Sequence, residues 1–448
     1  MTQPLDALTE NLLQAARRAG ADSADAKAVR ASSVSVDVRE GALEQAERAE
    51  GVDIGLRVFV GQRGATVSAS DISQTTIDEM AERAVAMARE APEDPYAGLA
   101  DAEQLSRDWD AAALELCDPS PEPSPQTLQD DAQAAEAAAR TVEGITQVQS
   151  ANAYYGHQQM HFATSNGFSG GYDRTDRGLS CVAIAGQGTG MERDYDGDNR
   201  RFGADLRSPD EIGTTAGQRA VARLDARKPP TGAFPVVFDE RVASSLIGHL
   251  LGAVNGAAIA RGGSFLRDKL GEVILPETLS LVEDPHRPRA TASRPFDGEG
   301  LPTGKRVIVE NGRLMGWTLD LASARKLGMA PTGNASRPTG GGPSPSTWNV
   351  ALTQGTASQA DLLRDMGEGL LVTSMIGSTI NPNTGDYSRG AAGFWVQNGE
   401  ITHAVNECTI AGNLNDMLRN MVPANDARTH LSRVVPSLLV PGMTLAGT

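Results

Sequence analysis

From Leu5 to Ala19 apolar residues recur three and four positions apart, with Leu8, Leu12, Leu13 and Ala16 on one side, and this period predicts an amphipathic helix. The stretch SVSVDVREG at 33–41 switches to strict alternation, the period of a half-buried strand. Two more strand-like runs, GVDIGLRVFVG at 51–61 and GATVSAS at 64–70, lead into a second helical pattern over Thr75–Ala91 carried by Ile77, Met80, Ala84 and Met87. APEDPYAGLADAEQLSRDWD and CDPSPEPSPQ then lose periodicity and fill with proline and acid, so they read as surface excursions. The pattern next repeats: a helix from Thr127, strand-like QVQSANAYYG, QMHFATSNG and GLSCVAIAGQG, and a helix over Ser208–Leu224. Helix, strands, helix thus occurs twice, which points to an internal duplication.

Past Pro229, Pro230 and Gly232 the texture becomes short strands, turns and glycine, and a domain boundary is placed near residue 230. Residues 1–230 are expected to form an α+β domain and residues 231–448 a mainly antiparallel, barrel-like β domain, an α+β protein as a whole. Only two helices are expected in the second half, one opening it around 244–266 and one over Gln359–Gly369. Asn311-Gly312 and Asn398-Gly399 are placed at hairpin turns, because this dipeptide tolerates the two positive φ angles of a type I′ turn.

Charge narrows the functional classes. At 448 residues with a formal charge of −17, and with no local Lys/Arg cluster, the chain is unsuited to nucleic-acid phosphates or an anionic membrane. The first residues carry charges among their apolar positions, unlike a secretion signal or a membrane span, so a cytoplasmic location is expected. Cys117, Cys181 and Cys408 are three and far apart, which fits buried thiols better than disulfides or a metal knuckle.

Motifs for familiar chemistries are scarce. PTGNASRPTGGGPSPSTWN lacks the arrangement of a phosphate-binding loop and reads as a long surface loop beside a cleft. Asp297 and Glu299 in RPFDGEGLPTG read as solvated turn acids rather than an acid/base pair. His157 and His161 lie four apart in a strand-like run and read as a surface pair. Asp386, Tyr387, Ser388 and Arg389, between glycines, are equally a binding surface or a capped turn. No GxSxG elbow accompanies the six histidines, so a hydrolase built from His249 and Ser244 or Ser245 is a minor alternative. The helix that opens the second half is more informative. Ala243, Leu246, Ile247, Leu250, Leu251 and Val254 form a core-facing stripe, while Ser244, Gly248, Gly252 and Gly256 recur every fourth residue beside His249, a row expected to admit another backbone closely.

With these residues in view, VVFDERVASSLIGHLLGAVNGAAIARGGSFL, DGEGLPTGKRVIVENGRLMGWTLDLASARKLG, NPNTGDYSRGAAGFWVQNGEI, TIAGNLNDML and PSLLVPGMTLAG together resemble the TldD/PmbA family, as does GVDIGLRVFVGQRG in the first half. The resemblance implies a heteromeric protease in which a TldD-type subunit carries zinc and a PmbA/TldE-type subunit pairs with it. It also implies that the zinc branch bears His-Glu-x-x-x-His on the opening helix and a ligand cysteine before the closing strand. In register those helix positions fall here on Ile247, Gly248 and Gly252, and NMVPANDARTHLSRVVPSLLV holds no cysteine. His249 falls between them, neither ligand nor base. The chain is accordingly placed in the PmbA/TldE branch: no catalytic residue and no metal of its own, zinc in the partner, extended peptide as shared substrate, with a homodimer left open for the chain alone. His249, Gly256, Asp386, Tyr387, Ser388 and Arg389 are taken as cleft- or partner-facing. A stand-alone protein-binding or regulatory module is the alternative.

Overall fold

The computed structural model describes residues 3–447. Its first part runs α1 (Leu5–Ala19), β1 (Ser23–Arg39), β2 (Ala42–Val60), β3 (Arg63–Ala69), α2 (Gln74–Glu90), α3 (Pro125–Arg140), β4 (Ile145–Thr164), β5 (Ser169–Ala185), β6 (Glu192–Arg200) and α4 (Pro209–Ala222). The six strands form one antiparallel sheet in the order β3-β2-β1-β4-β5-β6, so each helix–three strands–helix unit supplies half of it and the two first strands meet in the middle. Even-numbered residues of β1 all face the helices. Ala24, Ala26 and Ala28 pack with α1 and α2, and Val34, Val36 and Val38 pack with α3 and α4. The opposite face carries no helix and meets the second half of the chain.

Several expected elements have different bounds. QVQSANAYYG and QMHFATSNG are one continuous strand, β4, because β1 and β5 pair with it along most of its length. β2 starts at Ala42 rather than near residue 51: residues 42–51 are solvated on both faces, so no alternation betrays them. β6 was not expected at all, since its inward side chains are Asp194 and Asp196, which pair with Arg241 and Arg219 instead of entering an apolar core. The Pro- and acid-rich segment is largely exposed but tied down, as Arg325 donates to the carbonyls of Tyr96 and Leu99 and Trp109 packs edge-on against Phe296.

The second half contributes β7 (Gly232–Phe238), α5 (Glu240–Ala253), α6 (Gly256–Ala260), α7 (Leu321–Leu327), α8 (Gln359–Met366), β8 (Gly369–Ile380), β9 (Asp386–Gln397), β10 (Glu400–Asn413), α9 (Leu414–Asn420) and β11 (Leu438–Ala446). The strands run β10-β9-β8-β7-β11, and β10 also pairs with β11, which closes a five-stranded barrel. All contacts are antiparallel except β7 with β8. A smaller sheet of short strands, including Arg306–Glu310 and Val350–Leu352, packs into the same core. Both Asn-Gly turns occur with positive φ at each residue. Helices α6, α7 and α9 exceed the two expected. They are short, and α7 depends on a reciprocal cap between Asp320 and Ser323 more than on an apolar stripe.

The loop at 331–349 is not a surface loop. Arg337 is fully buried against Asp25 of β1, and a side chain at Gly55 would lie 2.1 Å from the Thr339 carbonyl, so the loop is wedged against the sheet. Among the described residues no helix is long and apolar enough to cross a membrane.

Candidate functional site

Asp239 caps α5 by accepting from the Arg241 amide, and the apolar stripe Ala243, Leu246, Ile247, Leu250 and Leu251 seats the helix on a core shared with barrel residues Val236, Phe238, Leu370 and Val440. That seating decides the fate of the motif positions. Ile247 is completely buried in this core. A Cβ at Gly248 would stand 3.0 Å from Nη1 of Arg433, so a guanidinium occupies the approach to that position. At Gly252 nothing lies within 4 Å.

The glycine row does not behave as one surface. α5 ends at Ala253, and Asn255 caps the separate helix α6, of which Gly256 is the first residue. Close backbone approach occurs only at Gly256, where a Cβ would lie 2.4 Å from Leu319 Cδ2 and 2.8 Å from the Thr318 carbonyl. Gly252 is open, which corrects the expectation that it admits a neighbouring backbone.

His249 is half-buried and meets Tyr387 edge to face at 5.9 Å between centroids. Its Nε2 is buried without a partner. Burial, then the positive charges of Arg389 and Arg433, push its pKa below the ordinary imidazole value. Tyr387 donates to Met375 Sδ at 3.3 Å, and burial raises its phenol to about 12. Arg389 donates from Nε to the Gly377 carbonyl at 2.8 Å. Strand alternation therefore divides the four β9 candidates: Tyr387 and Arg389 join His249, whereas Asp386 and Ser388 point the other way. Asp386 instead accepts from Thr384 and Asn413 at an exposed turn, which holds its carboxyl below the usual range. Ser245 donates back to the Val242 carbonyl at 2.7 Å rather than engaging His249, so the serine hydrolase alternative finds no nucleophile–base contact. Arg433 was missed by sequence reading. The signal available was its place in the segment where the family resemblance implies a ligand cysteine in the zinc-bearing branch.

The donor set does not suit zinc. Ile247, Gly248 and Gly252 have no donor atoms, and the polar groups gathered there are one imidazole, one phenol and two guanidiniums, with neither carboxylate nor thiolate to neutralise a dication. Cys408 lies elsewhere: its thiol donates to the Ala391 carbonyl and is raised by burial to about 11. His157 stands 3.7 Å from Asp173, and His161 shares a hydrogen bond with Thr9 of α1, so the two are engaged separately on one face of β4.

Asp297 and Glu299 are not solvated. They are 2% and 5% exposed, and burial raises them to about 6 and about 8. Asp297 accepts from the amides of Glu299, Leu301 and Ala335, and Glu299 accepts from the amide of Leu321. The pair thus organises the start of α7 and the base of the 331–349 loop, a structural task.

Comparison with known proteins places this architecture. Models of the PmbA/TldA metallopeptidase domain 1, central domain and C-terminal domain match residues 24–88, 118–224 and 231–447. Metalloprotease PmbA of Escherichia coli O157:H7 is 39% identical over 95% of this chain and 92% of its own length. The chain belongs to the PmbA/TldD family, in its PmbA branch. A PmbA homolog of Haemophilus influenzae is 37% identical over 97% of this chain and 94% of its own. Among solved structures of the family's fold, a candidate modulator of DNA gyrase from Bacteroides thetaiotaomicron superposes with a TM-score of 0.91 at 26% identity, covering 99% of this chain and 98% of that one. TldE from Thermococcus kodakarensis gives 0.86 at 21% identity, covering 98% of this chain and all of its own, a likeness of fold.

Proposed function

We propose that this chain is the metal-free subunit of a two-component metalloprotease, completing a cleft for extended peptide beside a zinc-bearing relative. The observation that carries the reading is the guanidinium of Arg433 against Gly248, at the position where the zinc branch has its carboxylate. A cation there opposes a bound dication, and the flanking Ile247 and Gly252 supply no ligand. An extended peptide is favoured by a free strand edge near the same cluster. β7 pairs with β8 only across Leu370–Val372, so β8 from Ser374 onward has β9 on one side alone, and Ile376 there is 77% exposed.

The test is elemental analysis of the purified chain together with a fluorogenic-peptide assay of this chain, a zinc-bearing relative from the same genome, and their mixture. The expected result is no stoichiometric zinc in this chain, no cleavage by it alone, and chelator-sensitive cleavage by the mixture that survives His249→Ala. One tightly held zinc per chain, or chelator-sensitive cleavage by this chain alone, refutes the reading.

A further inference from the structure

The helix-free face of the N-terminal sheet and the second half of the chain enclose between them a cavity of about 190 Å³ that opens to solvent. Its polar lining is dominated by cations: Lys27 from β1, Arg174 from β5, and Arg294 and Arg337 from the second half. Arg337 is spoken for, since its Nε binds Asp25 at 2.7 Å. The other three lack a carboxylate partner. Lys27 donates to the Arg337 carbonyl at 2.5 Å. Arg294 lies with its guanidinium carbon 3.5 Å from the Trp348 ring centroid, and among the described residues that guanidinium hydrogen-bonds only to the Ala292 carbonyl. Arg174 makes no hydrogen bond or ion pair among the described residues. The one acid in the lining, Asp297, has both oxygens engaged by backbone amides.

Gathering cations costs Coulomb energy, and the cost is felt here: burial and the charges of Arg337, Arg174 and Arg294 bring the Lys27 ammonium down to about 8. In a chain whose formal charge is −17, a group of cations offset within the cavity only by the charge of Asp297 on Arg294 is out of keeping with its surroundings. We propose that this cavity is a binding site for an oxyanion, the carboxylate of a peptide or a free phosphate, held by Arg174, Arg294 and Lys27. Guanidinium forks match either group in a bidentate manner. The volume, roughly that of six water molecules, accepts the anion with a short organic stem, and Tyr172, Phe162 and Phe296 supply an apolar wall for such a stem.

The site is tested on the full chain alone, without partner or proteolysis, so failure here leaves the subunit reading untouched. Calorimetric titration at low ionic strength would use inorganic phosphate, a short peptide with a free C-terminal carboxylate, and the same peptide as its amide. Saturable binding of phosphate or of the free-acid peptide is expected, weakened roughly tenfold or more by Arg174→Gln, and unaltered by Arg18→Gln on the exposed surface. Because Arg174 makes no hydrogen bond or ion pair and its charge repels Lys27 and Arg294, Arg174→Gln should fold with a melting temperature no lower than that of wild type. Binding of the acid but not the amide supports the peptide source, and binding of phosphate alone supports the inorganic one. Binding of neither anion, or equal affinity in wild type and Arg174→Gln, overturns the proposal.

Discussion

Replacing Glu299 by Gln should make the protein more stable in alkaline solution and change how its stability depends on pH. The Glu299 carboxyl is raised from an ordinary 4.5 to about 8 by burial first and by the neighbouring Asp297 charge second. A folded-state pKa above the unfolded one means that the native chain holds a proton the unfolded chain has released. The stabilisation is fully present below 4.5 and is lost as pH rises through about 8. One proton gives a slope of at most ~1.4 kcal/mol per pH unit, so the window sets a ceiling of roughly 5 kcal/mol. Asp297 titrates in the same window and shares the proton demand, which lowers the expected difference to about 1–3 kcal/mol. Glutamine keeps an oxygen for the Leu321 amide, now accepted by Glu299 at 2.8 Å, but cannot ionise. Urea unfolding of both proteins at pH 5.5, 7 and 8.5 and constant ionic strength would show the wild type losing ground to Glu299→Gln step by step. Two parallel stability profiles, differing by a constant within ~0.5 kcal/mol, would refute the claim that Glu299 is protonated in the native state.

Two further predictions concern α5 and its surroundings. Gly256→Ala should destabilise by about 1–3 kcal/mol, because its Cβ meets Leu319 and the Thr318 backbone, whereas Gly252→Ala, with open space around it, should be neutral or stabilise by up to ~1 kcal/mol; thermal and urea unfolding of the isolated chain distinguish the two, and equal effects would show that the helix break at Asn255 is wrong. The His249 imidazole should titrate below 6.5 in an NMR pH series, and Arg433→Gln should raise its midpoint by removing one of the two cations that depress it; a midpoint unmoved by the substitution would place Arg433 away from the ring.

What the sequence disclosed followed from how each segment meets its surroundings. Leu8, Leu12 and Ala16 bury one helix face against a sheet, and that geometry writes itself into the spacing. The same logic exposed the repeated helix–strands–helix order and both Asn-Gly turns. It failed where burial is polar. β6 directs Asp194 and Asp196 inward to arginines that lie in α4 and α5, and no local pattern announces partners so far along the chain. Asp297 and Glu299 failed for the same reason, since the amide of Ala335 that satisfies Asp297 is contributed by a distant loop. In the candidate site, Tyr387 and Arg389 were nominated together with Asp386 and Ser388, and the alternation of a strand could have divided the four. Arg433 could not have been placed beside Gly248 without the fold.

These polar failures share a direction. Carboxylates dominate the chain as a whole, yet cations gather at two places: Arg389 and Arg433 around the half-buried His249, and Lys27, Arg174 and Arg294 beneath the sheet. An acidic exterior repels anions at long range, and salt screens that repulsion beyond about 10 Å. A cationic recess with low-dielectric walls acts at short range, where screening is weak. An anionic group that enters the recess beneath the sheet would therefore meet an attraction that the net charge of the molecule conceals. The arrangement at α5 disfavours a dication there, because the nearest charges, Arg389 and Arg433, repel it and no acid is placed to answer them. The want of donor atoms at Ile247, Gly248 and Gly252 and the presence of Arg433 act in one direction, and changing only the first would not make a zinc site: a histidine or glutamate placed on α5 would still face Arg433.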